Sequence, residues 1–319
     1  NYANAYYNRG CLNYQSEKNE DALNDINKAI ELKKNDSDFW YMRGLVKLRL
    51  GDHETVLSDL NKAIEINPKD PEYYKERGNE RDFNSDYKGA LFDFTKASIL
   101  DPKNSEYIYK RANMNFLLGN YKAAILDYNK AISIDPHYAL AYEGRASSKK
   151  AINDLTGALL DLNKALEINP NDARFYYDRG ELKNNLKDYK GAILDYNKAI
   201  ENNPNWIFPL WGRAESKKKL QDYRGAILDL TKAIEMAPTF SSSFFSRGNS
   251  KYDLEDFKGA IEDYTKAIEL MPDFPEAYFN RGLSKIYTSQ KEEGCLDLSR
   301  AGELGDGKAY EVIKKHCTN

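Results

Sequence analysis

Cysteine and histidine are scarce, with three of each in 319 residues. Cys11, Cys295 and Cys317 are odd in number and far apart, so neither a disulfide framework nor a zinc knuckle is expected. Cys295 reads as a small core hydrophobe and Cys317 as an exposed residue near the end. His53, His137 and His316 are scattered, and no two fall at metal-ligand spacing with cysteine or carboxylates. No run approaches the roughly 18 apolar residues of a membrane span, and no basic–apolar–small leader opens the chain. Charge of one sign is missing too: 47 basic and 50 acidic residues are interleaved, with a net charge of −3. That excludes the one-signed stripe on which nucleic-acid binding usually depends. No glycine-rich phosphate loop and no nucleophile–base constellation is visible, so no catalytic residue, cofactor or metal is expected.

What is present is periodicity. Arg recurs at 9, 43, 77, 111, 145, 179, 213, 247 and 281, always 34 residues apart. Asp recurs from Asp25 to Asp297 and Ala from Ala29 to Ala301 with the same spacing. Three residue types held in one register over nine copies define the architecture. In the copy at 173–206, apolar residues at Tyr176, Gly180 and Leu186, then at Tyr189, Ala192, Ile193, Tyr196, Ala199 and Ile200, follow helical spacing. Asp188 stands where the second helix needs a cap, and Pro204 marks its end. Each unit is therefore helix–turn–helix. Gly or Ala at unit position 8, Ala at position 27, and Ala at position 20 in seven copies (Val56 and Gly294 being the exceptions) let helices approach closely. Large residues at positions 4, 17 and 24 fill the gaps between them. A mean hydropathy of −0.76 fits a stack of thin layers better than a compact globule.

The period and pattern resemble the tetratricopeptide repeat family over residues 3–308. That resemblance implies an all-α, right-handed superhelical solenoid of antiparallel helix pairs, with the first helices lining a concave groove. The whole chain is expected to be one such solenoid, with units at 3–36, 37–70, 71–104, 105–138, 139–172, 173–206, 207–240, 241–274 and 275–308. A capping helix at about 307–317, with Ala309, Val312 and Ile313 toward the stack, closes the C-terminal end. The start has no such cap, so an upstream leader or domain is expected to have been removed. Where the family commonly has Leu at position 7 and an aromatic at 23, this chain has Arg and Asp in every copy. The joint replacement predicts a structural ladder of ion pairs, such as Arg179 with Asp195 and Arg213 with Asp229.

The resemblance also places positions 2, 5, 9, 12 and 13 in the groove. Position 5 is aromatic in seven of nine units, either to hold a ligand or to pad neighbouring helices. The expected partner-binding set is Tyr109, Asn113, Tyr177, Phe208, Trp211, Lys218, Phe245 and Asn249. Exposed Phe208 and Trp211 beside Lys218 suit a peptide carrying apolar and acidic groups. The polar first helix of the third unit reads either as drift on a solvated face or as a charged pocket. The carboxylate clamp of chaperone-adaptor members is matched only at Lys75 and Asn79; Lys110, Leu140 and Gly144 depart from it.

The leading functional expectation is a non-catalytic scaffold holding an extended peptide or protein segment, without nucleic acid, membrane span or cofactor, in the cytoplasm. The alternatives are a self-assembling module forming a homodimer, a targeting module cut from a larger enzyme, and a glycan binder.

Overall fold

The computed structural model describes residues 2–317. Among these residues every regular element is an α-helix. Contacts group the chain into two compact units, one ending at Ile168 and the other beginning at Asn169. The first holds α1 (Tyr2–Gln15), α2 (Asn19–Leu32), α3 (Ser37–Leu50), α4 (His53–Ile66), α5 (Pro71–Phe83), α6 (Tyr87–Leu100), α7 (Ser105–Leu117), α8 (Tyr121–Ile134), α9 (Ala139–Ala151) and α10 (Leu155–Ile168). The second holds α11 (Ala173–Asn185), α12 (Tyr189–Asn202), α13 (Ile207–Lys219), α14 (Tyr223–Met236), α15 (Ser241–Asp253), α16 (Phe257–Leu270), α17 (Pro275–Tyr287), α18 (Lys291–Glu303) and α19 (Lys308–His316). Within each unit, helices pair as tandem hairpins, and each hairpin packs on the next.

The turn inside each hairpin has one construction. Its fifteenth residue is left-handed in every copy, from Glu17 (φ 60°) through Gly51 (φ 77°) to Ser289 (φ 65°). The following amide bonds back to the residue five before it, as from Asp188 to the Lys183 carbonyl at 2.9 Å. That closes the first helix by a Schellman-type cap. In most hairpins the next residue is Asp, and its carboxylate starts the second helix. Asp188 Oδ1 accepts from the Gly191 amide at 3.0 Å, and Asp86, Asp222 and Asp256 do the same one turn ahead.

Small residues then set the spacing. A Cβ on Gly180 would lie 2.8 Å from the Tyr196 ring, which belongs to the same hairpin. A Cβ on Gly212 would meet that ring from the next hairpin at 2.6 Å. Tyr196 is thus a fully buried plug between two glycines. Tyr128 is likewise buried and lies close against Gly144 of the hairpin that follows.

The position-7 arginines and position-23 aspartates meet inside their own hairpins. Arginine Nε lies 2.8–3.0 Å from an aspartate oxygen in all nine pairs, and Nη2 reaches the other oxygen. A bidentate fork of this kind is the strong form of the contact. Two partners were invisible in the sequence. The residue four after each arginine also donates to the aspartate, at 2.7–3.2 Å. It is Lys in six copies, Arg81 in one, and Asn13 or Asn115 in the others. The spare arginine nitrogen crosses to the preceding hairpin, where it donates to Asn27, Asn61, Ser98, Asn129, Asn197, Thr231 or Thr265. Where position 4 is aromatic, the guanidinium also lies over that ring, as with Arg179 on Tyr176 at 5.6 Å.

The cysteine expectation is corrected at the C-terminus. Cys295 of α18 and Cys317 after α19 are joined by a disulfide with Cα atoms 5.9 Å apart. Cys295 is therefore not simply a core hydrophobe, and Cys317 is half-buried rather than exposed. The spacing of 22 residues gave no hint, because the turn after α18 is what folds α19 back beside it. Ala309 is fully buried in that contact, and the Tyr310 ring lies against Gly302. Cys11 is a free thiol.

Two measurements test these assignments. Asp93 is fully buried between Arg77 and Arg81, so Asp93→Ala should cost about 3–5 kcal/mol in urea unfolding, the usual penalty for stranding a buried charge. Asp25→Ala should cost less, because its partner Arg9 is 65% exposed and can rehydrate. Equal losses at both sites would contradict this account. Reducing the disulfide should free α19, speeding amide exchange there while the earlier hairpins keep their protection; unchanged exchange in α19 would show that the staple is idle.

Candidate functional site

The first helices carry the expected binding residues, and the structure divides them into two groups. Tyr109, Tyr177 and Phe245 are half-buried in aromatic layers. Each packs at a tilt against the aromatic that ends its own repeat: Tyr138 at 4.8 Å, Trp206 at 4.8 Å and Phe274 at 4.7 Å. Each also lies about one ring width from the tyrosine of the second helix, Tyr128, Tyr196 or Tyr264. Burial pushes the Tyr177 hydroxyl up to about 12 and raises Tyr128, Tyr196 and Tyr264 further, so all four phenols stay protonated.

The polar residues at position 9 serve those same phenols. Tyr128 donates to Asn113 Oδ1 at 2.6 Å, Tyr264 to Asn249 Oδ1 at 2.8 Å, and Tyr196 to Glu181 at 2.6 Å. Asn249 Oδ1 also accepts from Asn280 at 2.8 Å. Asn113 and Asn249, expected to hold a ligand backbone, thus spend their carbonyl oxygens on buried tyrosines. A signal for this lay in the sequence: an Asn or Glu at position 9 accompanies every Tyr at position 24.

Phe208 and Trp211 form the second group. On α13 they remain 48% and 36% exposed. Lys218 lies one face along that helix and is held by Glu215 at 3.0 Å. Its charge also reaches Asp253 of α15, whose carboxyl is raised by burial and lowered in part by that lysine. These residues make an apolar patch edged by an internally balanced charge pair.

The first unit offers concavity instead. A cleft of about 280 Å³ opens among α5, α7 and α9, with Tyr109, Asn113, Phe116 and Leu117 on one wall and Asp82, Glu143 and Ser147 around it. Burial raises the Asp82 carboxyl, and nearby Lys110 opposes that shift. The polarity of α5 itself is consumed locally. Lys75 pairs with Glu72 and Glu76, Arg81 with Asp93, and buried Glu80 with His53 Nδ1 at 3.1 Å. Glu72 in turn accepts from the Tyr107 hydroxyl. Among the described residues, no group of three metal-binding side chains occurs.

Family comparison agrees with this geometry. Tetratricopeptide-repeat models match residues 3–36, 37–70, 105–138 and 173–205, and a further TPR-repeat model matches 147–186 and 248–285. Together these segments cover more than half of the sequence. The chain belongs to the tetratricopeptide-repeat family. Its tandem helix pairs are those of the family's all-α solenoids. No curated protein matches it in sequence. Among solved structures, it is similar to a tetratricopeptide repeat protein from Parabacteroides merdae, with a TM-score of 0.56, 24% identity, and coverage of 77% of this chain and 96% of the other. It is also similar to the C-terminal part of a TPR repeat-containing protein from Cytophaga hutchinsonii, with a TM-score of 0.64, 15% identity, and coverage of 74% and 98%. YrrB, described as a TPR protein with an unusual peptide-binding site, aligns with a TM-score of 0.52, 23% identity, and coverage of 59% and 97%. At these identities the likeness concerns the tetratricopeptide-repeat fold alone.

The tyrosine pairing has a direct test. Asn113→Ala should leave the buried Tyr128 hydroxyl without an acceptor and cost about 1–3 kcal/mol of stability. Adding Tyr128→Phe should recover much of that loss. A stable Asn113→Ala single variant would return Asn113 to the list of free groove residues.

Proposed function

We propose that this protein is a non-catalytic interaction scaffold that binds a peptide or extended protein segment across the exposed face of its first helices. The observation that carries this reading is the exposure of Phe208 and Trp211. Three other position-5 aromatics, Tyr109, Tyr177 and Phe245, pack against a ring of their own repeats, whereas Trp211 and its neighbour Phe208 keep a large apolar surface in water. Aromatic anchors of this kind supply most of the energy of small interfaces. The helices that present them are held by the Arg–Asp network, so little ordering is needed on the scaffold's side when a ligand docks.

The surrounding chemistry supports a non-enzymatic role. Several charged residues of the first helices pair with one another, as Lys75 with Glu72 and Glu76 and Lys218 with Glu215, and the buried tyrosines are held neutral. None of the described helices is long and apolar enough to cross a membrane. The Cys295–Cys317 disulfide is a bond that persists mainly in oxidising compartments, and it weighs against the cytoplasmic location expected from composition.

Selection from a phage-displayed peptide library tests the reading. Peptides selected on the wild-type chain should bind the Phe208→Ala/Trp211→Ala double variant at least about 30-fold more weakly, the loss of one strong hot spot. Because both side chains are exposed, the variant's unfolding midpoint should stay near that of the wild type. Equal affinities for the two proteins would remove Phe208 and Trp211 from the site.

A further inference from the structure

The second helices carry an exposed pattern that the hairpin packing does not use. Unit position 22 is Phe92 on α6, Leu126 on α8 and Leu160 on α10, which are 53%, 69% and 66% exposed. Positions four residues before and after lie on the same helix face. They are Lys88 and Lys96 on α6, Lys122 and Lys130 on α8, and Thr156 and Lys164 on α10, all exposed. Each apolar side chain is therefore bracketed along its helix by polar or basic ones, with lysine on both sides in α6 and α8.

The charge balance singles out α6 and α8. On most other second helices the basic residue at unit position 26 pairs with a glutamate three residues on, as in Lys28–Glu31, Lys62–Glu65 and Lys164–Glu167. On α6 and α8 that place is taken by Ile99 and Ser133. Lys96 and Lys130 thus lack that glutamate, and on α6 the residue in its place, Ile99, is apolar and 64% exposed. The Lys96 ammonium instead lies 5.5 Å from the Phe92 ring.

The dimensions match one kind of ligand. Lysines eight residues apart on a helix are separated by about 12 Å along its axis. An α-helix with its side chains is about 10–12 Å across. A helix laid across α6 and α8 would put its apolar stripe on Phe92 and Leu126 while its two flanks meet the two lysine rows. We propose that this face binds an acidic amphipathic helix of a partner protein, with carboxylates on both sides of an apolar stripe. The surface is distinct from the Phe208–Trp211 patch and does not depend on it.

The test uses the whole chain and a fluorescein-labelled synthetic helix bearing one leucine stripe flanked by glutamates. Anisotropy should show binding that weakens as salt rises, since the pairing charges are exposed. Lys96→Glu/Lys130→Glu and, separately, Leu126→Ser should each weaken it by about tenfold or more, with unfolding midpoints unchanged because all three residues are exposed. Phe208→Ala/Trp211→Ala should leave this affinity intact, so failure here is distinguishable from failure of the groove. Four results would overturn the proposal. They are no binding of the peptide, equal binding by the variants, binding of phosphatidylserine vesicles but not of the peptide, or a concentration-dependent mass abolished by Leu126→Ser. The last two would assign the face to a membrane surface or to a second copy of the chain.

Discussion

The bond on which most of this architecture turns is the fork between a position-7 arginine and a position-23 aspartate. Eight of the nine aspartates are buried and Asp127 is partly so, and a buried carboxylate is tolerated only when its charge and lone pairs are matched. Here the carboxylate is matched from two sides. The arginine gives two parallel donors, a second cation or amide one turn later fills the remaining side, and the arginine's free nitrogen ties the hairpin to its predecessor. One ion pair therefore fixes the angle within a hairpin and the register between hairpins. Purely apolar contacts are less directional and set such a register less strictly.

Packing follows from that frame. With the helices held at close distance, glycine or alanine stands at nearly every point where they approach, Val56 being an exception, and an aromatic ring can be enclosed between hairpins. Enclosure creates an obligation in turn, because a buried phenol needs an acceptor. The obligation is met by position 9 of the same hairpin, through Asn113, Glu181 and Asn249. Residues that look available for ligand recognition are thereby drawn into the fold. What remains available is apolar surface with no such duty, including Phe208 and Trp211 on a first helix, and Phe92, Leu126, Leu160, Leu194, Leu228 and Leu296 on second helices.

Much of the fold was legible in the sequence because a 34-residue period repeats its own evidence nine times. Helix boundaries, the Asp188 cap, the small residues at contacts and the registers of Arg and Asp all follow from that period. The candidate site was legible only in part. The aromatic character of position 5 was plain, but Tyr177 and Trp211 look alike in a sequence. One ring packs at a tilt against Trp206 while the other stays exposed, although its repeat also ends in an aromatic, Phe240. The lysines at position 11 carry no local signal of their role, because their target lies on another helix.

The sequence by itself determined the local pattern: which segments are helices, where they turn, and which side chains repeat on each face. Those properties depend on residues within one or two helical turns, and the period displays them directly. Only the tertiary structure decided which equivalent positions are consumed by packing and which remain open. It also decided that Cys295 and Cys317 meet, since the distance between them is set by how α19 folds back on α18. Contacts of that kind depend on the meeting of surfaces far apart in the chain, and no single repeat encodes both sides of such a meeting.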